Sequence, residues 1–140
     1  AIHLLDASDG SLALVDGETN ELVFVLVQGT LAGDLEGYRM PADEGIAGWV
    51  MTNRKAALVR DARTDQRFFA DVDNDFKFQT QSIAAAPLVG DNHVLGVVEV
   101  LNQPGHQPFS DDDLDLFNLL CRFAGELLAG VERRAALLDG

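Results

Sequence analysis

Cysteine is almost absent from this chain. Cys121 stands alone among 140 residues, so no disulfide can close within it. Histidine is nearly as scarce: His3, His93 and His106 are far apart in sequence, and no Cys/His cluster has zinc spacing. They read as surface residues of a terminus, a turn and a loop. Cations are few, with ten Lys and Arg against 23 Asp and Glu and a net charge of −13. Nucleic acid and anionic membrane surfaces need clustered Lys and Arg, so neither is an expected partner. No apolar run approaches the ~20 residues of a bilayer span, and no secretory leader is visible. These absences fit a reducing, cytoplasmic location. The chain opens on Ala1 and not on methionine, and is expected to be a single domain, residues 1–140, excised from a larger protein.

What is present is a core and a pattern. Hydrophobic residues make up 47% of the chain, which is ordinary for a globular domain. The stretch 82–102, SIAAAPLVGDNHVLGVVEVLN, reads as a hairpin, with two apolar runs flanking Gly90-Asp91-Asn92-His93. Its second run, residues 94–101, is rich in branched residues, as in a strand buried on both faces. Glu99 interrupts it, although acidic residues are depleted in strands and rarely buried without a partner. A first hairpin is expected from residues 10–15 and 21–28 across the turn residues Asp16 to Asn20. Residues 29–39 read as a mixed loop. Residues 41–53 read as a short helix with Asp43 as N-cap and Ile46, Trp49 and Val50 on one face, although Gly45 and Gly48 count against its interior. Residues 56–60 read as a further strand.

Residues 61–80 carry five aspartates and four phenylalanines without regular periodicity; a loop of that length inside a compact domain is usually functional. Its Asp71-x-Asp73-x-Asp75 spacing resembles a calcium loop, but Phe76 occupies the glycine position and Ser82 stands where a bidentate Glu belongs, so a solvated acidic loop is the better reading. Ser110 and Asp113 form a capping-box-like pair at the start of the last helix. That helix has one apolar stripe of Leu114, Phe117, Cys121, Ala124, Leu128 and Val131. Leu116, Leu119, Phe123 and Leu127 form a second, so two partners are needed. Cys121 lies on a stripe and reads as a buried structural cysteine. The order strand–strand–helix–strand–loop–strand–strand–helix gives an α+β antiparallel sheet with flanking helices.

The ordered set Glu44-Gly45-Ile46-Ala47-Gly48-Trp49-Val50, Val59-x-Asp61, Arg67-Phe68, Thr80-x-Ser82-Ile83 with Pro87-Leu88, Leu95-Gly96-Val97-Val98-Glu99-Val100-Leu101-Asn102, and Phe109-Ser110-x-x-Asp113-Leu114 resembles the GAF domain over about residues 10 to 132. The resemblance implies a six-stranded antiparallel sheet with helices on one face and a ligand pocket under loops on the other. It also implies a regulatory, non-catalytic role in a larger, bacterial-type signalling protein. It implies a truncated N-terminal helix and a connector helix over residues 110–138. By the pattern of the cyclic-nucleotide-binding GAF domains, pocket residues fall on Ser11, Ile46, Ala47, Phe69, Asp73, Thr80 and Glu99. The base-stacking aromatic and the acid beside it in that subgroup correspond here to Val27 and Gln28, a loop threonine corresponds to Phe76, and its later Lys and Glu to Gln103 and Leu114.

Two functions follow as expectations. One is a sensory module binding a small molecule or nucleotide, with no firmly assigned cofactor, and signalling through the last helix. The other is a ligand-free module forming a homodimer through its terminal helices. No nucleophile–base pair and no metal cluster is apparent, so an enzyme is not expected. The GAF branch that reduces methionine sulfoxide relies on pocket cysteines, and the bilin-carrying branch on a Cys-His; both are missing from the corresponding segments.

Overall fold

A computed structural model describes residues 9–29, 36–59, 82–102 and 109–139. The expectations placed on residues 61–80, on the N-terminal helix and on His3 and His106 lie outside the described residues.

Six strands form one antiparallel sheet. They are β1 (Asp9–Asp16), β2 (Glu21–Gln28), β3 (Arg39–Pro41), β4 (Ala57–Val59), β5 (Ser82–Gly90) and β6 (His93–Asn102), in the spatial order β3-β2-β1-β6-β5-β4. Among the described residues, a short helix α1 (Gly45–Asn53) and a long helix α2 (Asp111–Asp139) accompany the sheet. The expected α+β class and six-stranded sheet are what is found.

Both hairpins form where turn chemistry put them. Asp91 and Asn92 both take left-handed φ, 53° and 65°, which is the geometry of a two-residue turn that matches strand twist. At the first turn, Asn20 donates its backbone N–H to the Asp16 carbonyl at 2.9 Å, and Glu18 donates to the Asp16 carboxylate at 3.0 Å. The register of β1 against β2 shifts between Leu12 and Ala13, leaving Val25 as the extra residue of a bulge.

Three expectations about elements are corrected. Residues 29–39 were expected to be loop throughout, yet β3 begins at Arg39 and pairs with Glu21, Leu22 and Val23. Three residues ending in proline carry no alternation to read, and the strand exists because the edge of β2 offers it partners. The short helix begins at Gly45 and not at residue 41. Pro41 is held in β3, and the N-cap is Glu44, without a side-chain bond, in place of Asp43. Gly45 and Gly48 enable this start. Gly45 takes φ 70°, and a Cβ on Gly48 would collide with the backbone of Asp43 as the chain folds over the first turn. The strand covered on both faces is β5, buried from Ser82 through Leu88, whereas β6 alternates between buried and half-buried positions.

The sheet separates two apolar layers. On one face α1 lays Ile46, Ala47 and Val50 against Ala13, Leu22, Phe24, Val27, Ile83, Ala85 and Val97. On the other, α2 lays Phe117 and Cys121 against Ala84, Ala86, Leu88 and Val100. The capping box of α2 forms as read: Ser110 N–H donates to the Asp113 carboxylate at 2.9 Å, and Asp113 N–H donates to Ser110 Oγ at 3.1 Å. The buried line of α2 differs from the expected stripe. Ala124 and Val131 are exposed, and Gly125 and Ala129 are buried in their place. The helix axis drifts across β5, so the contact line follows Phe117, Cys121, Gly125 and Ala129 and not a fixed heptad face. Gly125 is required there: a Cβ would stand 2.5 Å from the Val89 carbonyl oxygen and 2.6 Å from its nitrogen, so helix and strand touch backbone to backbone.

Candidate functional site

Strand alternation assigns Glu99 to a face. Val97 belongs to the layer under α1 and Leu101 packs against that layer, so the residue between them points the same way. Ser11 is registered directly opposite Glu99 on β1, and Ala85 directly opposite it on β5. Val27 in turn faces Ser11 from β2. One row across the sheet therefore reads Val27, Ser11, Glu99, Ala85: a hydroxyl and a carboxylate between two small or aliphatic neighbours. Both Ser11 and Glu99 are half-buried.

Helix α1 covers the same face. Ile46 and Ala47 are buried, and their side chains belong to the apolar layer, which leaves the backbone N–H groups of the first turn as what α1 can offer a ligand. Four of the seven site residues read from the sequence, Ser11, Ile46, Ala47 and Glu99, thus lie on one face of the sheet. Phe69, Asp73 and Thr80 lie outside the described residues. Ala85 was not anticipated as a neighbour of Glu99. Its place opposite Glu99 follows from the register shift at Leu88/Val89, and a short methyl beside a long carboxylate leaves room above the sheet.

A hollow of about 190 Å³ opens nearby. Its walls are Leu12, Leu26, Gln28, Val98 and Val100 together with Gly10, Ser11 and Glu99 from the same strands. Leu12, Val98 and Val100 belong to the layer on the α2 side. This hollow therefore joins an uncovered part of that layer to Ser11 and Glu99, which also line it.

The remaining polar features are structural. The Arg39 guanidinium contacts Asp16 at 3.0 Å and Glu21 at 3.3 Å, and holds the Asp16 carboxyl below its ordinary range. The pairing sits at the β2–β3 edge and charges it against further strand addition. Burial pushes the Cys121 thiol up to about 12, so it is a poor nucleophile at neutral pH. Among the described residues no group of His, Cys, Asp and Glu is placed to hold a metal ion. Likewise no described helix is long and apolar enough to cross a membrane.

Comparisons with known proteins agree with this geometry. The GAF domain family model matches residues 1–128. The chain is 30% identical over 135 residues to a Caenorhabditis elegans protein named "Probable 3',5'-cyclic phosphodiesterase pde-5", covering 89% of this chain and 18% of that protein. It is 32% identical over 88 residues to the mouse cone cGMP-specific 3',5'-cyclic phosphodiesterase subunit alpha', covering 63% of this chain and 10% of that subunit. Among solved structures, the GAF domain of a phosphoenolpyruvate-protein phosphotransferase from Coxiella burnetii superimposes with a TM-score of 0.85 at 19% identity, covering 96% of this chain and 79% of that one. The chain spans less than a fifth of the length of these curated relatives. With the sheet order, the two-layer core and a family match over nearly its whole length, the chain belongs to the GAF domain family.

Proposed function

We propose that the chain is a regulatory sensory module that binds a small molecule against the Ser11–Glu99 row and passes occupancy to α2. The observation that carries this reading is the position of Glu99: a carboxylate on a central strand, turned toward the apolar layer under α1 and set opposite a hydroxyl. A carboxylate in such a place is suited to accepting from donors on a ligand. The route to α2 runs through β6 and its hairpin. Asp91, at the hairpin tip, contacts Arg133 of α2, and Gly90 and Val89 abut Gly125 and Ala129. A shift of β6 along its axis would therefore be felt by the long helix. Such a shift follows only if the ligand binds two arrangements with different affinity.

Cyclic nucleotides belong in the ligand panel because relatives carry them in their names. Val27 lacks the ring that would stack on a base, and this favours a different small molecule. A thermal-shift screen of cyclic nucleotides, nucleotides and small metabolites tests the reading. A ligand at a hundred times its Kd should add about 2.7 kcal/mol. Stabilisation of the parent that falls in Glu99→Ala is expected; stabilisation of equal size in both would remove Glu99 from the site.

A second reading rests on its own observation. Leu119, Phe123 and Leu127 of α2 are 53%, 65% and 72% exposed and lie on one side of the helix. This favours association of two copies through α2, which is compatible with sensing.

A further inference from the structure

We propose a second ligand site, an anion site for a phosphate-bearing small molecule, in the hollow between the turn after α1 and the middle of α2. The hollow measures about 590 Å³, within the range of small-molecule sites. Arg54 and Lys55 enter it from the turn, Asn118, Arg122 and Glu126 from α2, and Pro87 and Val89 form an apolar floor on β5.

Charge is what singles it out. The chain has ten basic residues against 23 acidic ones, yet three of the ten converge here. Two of the described cations elsewhere meet acids: Arg39 contacts Asp16 and Glu21, and Arg133 contacts Asp91. Among the described residues, Arg54, Lys55 and Arg122 make no ion pair. Arg54 is nevertheless held in place. Its guanidinium donates to the Asn92 backbone carbonyl at 3.0 Å, a neutral acceptor that fixes the side chain and leaves its charge uncompensated. Its backbone is fixed as well, since Arg54 caps α1 in a left-handed conformation and donates its N–H to the Val50 carbonyl at 2.8 Å.

The chemistry of the occupant follows from these groups. Three positive charges and the single negative charge of Glu126 leave a balance of two, which matches a phosphate monoester near −2 at neutral pH. Guanidinium forks suit tetrahedral oxyanions, and Lys55 supplies a point charge. Asn118, Arg122 and Glu126 follow at four-residue steps on one face of α2, so Glu126 stands one turn beyond the cations, where it can accept from a hydroxyl or amine on the ligand's far end. Pro87 and Val89 would cover the body between the two ends. A ligand so bound would bridge the turn after α1 to α2. The site does not depend on the Ser11–Glu99 reading.

The test is titration of the 140-residue chain with inorganic phosphate and with phenyl phosphate at constant ionic strength, followed by ³¹P line width and by amide shifts of Lys55 and Arg122. Saturable binding of both is expected, tighter for phenyl phosphate. Arg122→Glu and Lys55→Glu, both at exposed positions, should each weaken it at least tenfold, Glu126→Gln should tighten it severalfold, and Glu99→Ala should leave it unchanged. The gain in Glu126→Gln separates a lost site from a damaged fold. Absence of saturation, binding that Arg122→Glu leaves intact, or binding of an oligoglutamate peptide with none of either phosphate would overturn the proposal, the last outcome assigning the hollow to a protein partner.

Discussion

At the residue scale the clearest statement concerns Cys121. Its thiol is pushed up to about 12 by burial under α2, which means the folded chain favours the protonated form. A group raised on folding stabilises fully below its ordinary pKa, and that contribution is lost as pH climbs through the folded value. The melting temperature should therefore fall as pH rises from about 9 toward 12, and Cys121→Ala should flatten that slope. At neutral pH a disulfide-exchange reagent should label Cys121 only at the rate of unfolding; rapid labelling of the native chain would show that the α2 seam opens freely. Asp16 works in the other direction. Arg39 lowers its pKa, so its small contribution is present above the ordinary carboxylate range and fades as pH falls; Arg39→Gln should remove that acid-side dependence. Glu99 is the residue whose identity the sequence exposed most directly, because period-two alternation in a run of branched residues fixes which face a lone carboxylate shares. The same logic could not supply Ala85 as its neighbour without the β5–β6 register, which depends on a shift at Leu88/Val89 that no local pattern announces.

At the scale of elements, the seam between α2 and β5 governs both stability and coupling. Gly125 lets the helix reach the Val89 backbone, and adding one methyl there must push the two apart. Gly125→Ala should cost about 1–3 kcal/mol, the range of overpacked cores. Urea unfolding would measure it, and hydrogen exchange should show lost protection in α2 and the β5–β6 hairpin, with β1–β2 unchanged. Ser110→Ala offers a contrast. It removes one half of the capping box and should cost about 1 kcal/mol without altering the seam. The hairpins and the capping box were legible because each is a local device with its own residues. Strand β3 and the start of α1 were not, since both follow from tertiary geometry. β3 needs the free edge of β2, and the α1 start needs Asp43 folded across Gly48. The two glycines that lowered helix propensity are the ones the turn demands, a case where context overrides propensity.

At the scale of the whole molecule, the two faces of the sheet are unequally covered. Beyond α2, the α2-side face carries Val25 and Leu26 at 46% and 51% exposure beside the hollow at Leu12 and Val98. The outward side of α2 carries an apolar stripe of its own, Leu119, Phe123 and Leu127. An exposed stripe of that length on a 29-residue helix marks an interaction surface. A second α2, antiparallel or parallel, would bury it at the spacing of a helical bundle. Charge opposes it, because each chain carries a net charge of −13, and Arg133 and Arg134 toward the end of the helix are offset by Glu132 and Asp139. The chain should therefore sediment as a concentration-dependent dimer. Phe123→Glu should shift it to monomer while leaving the melting temperature of the isolated fold nearly unchanged, since that side chain is 65% exposed and contributes little to the core. Raising the salt should tighten the dimer, as screening removes repulsion between two chains of like net charge. Sedimentation velocity across a salt series checks this, and a monomer at every concentration and salt would remove self-association through α2 as a property of this chain.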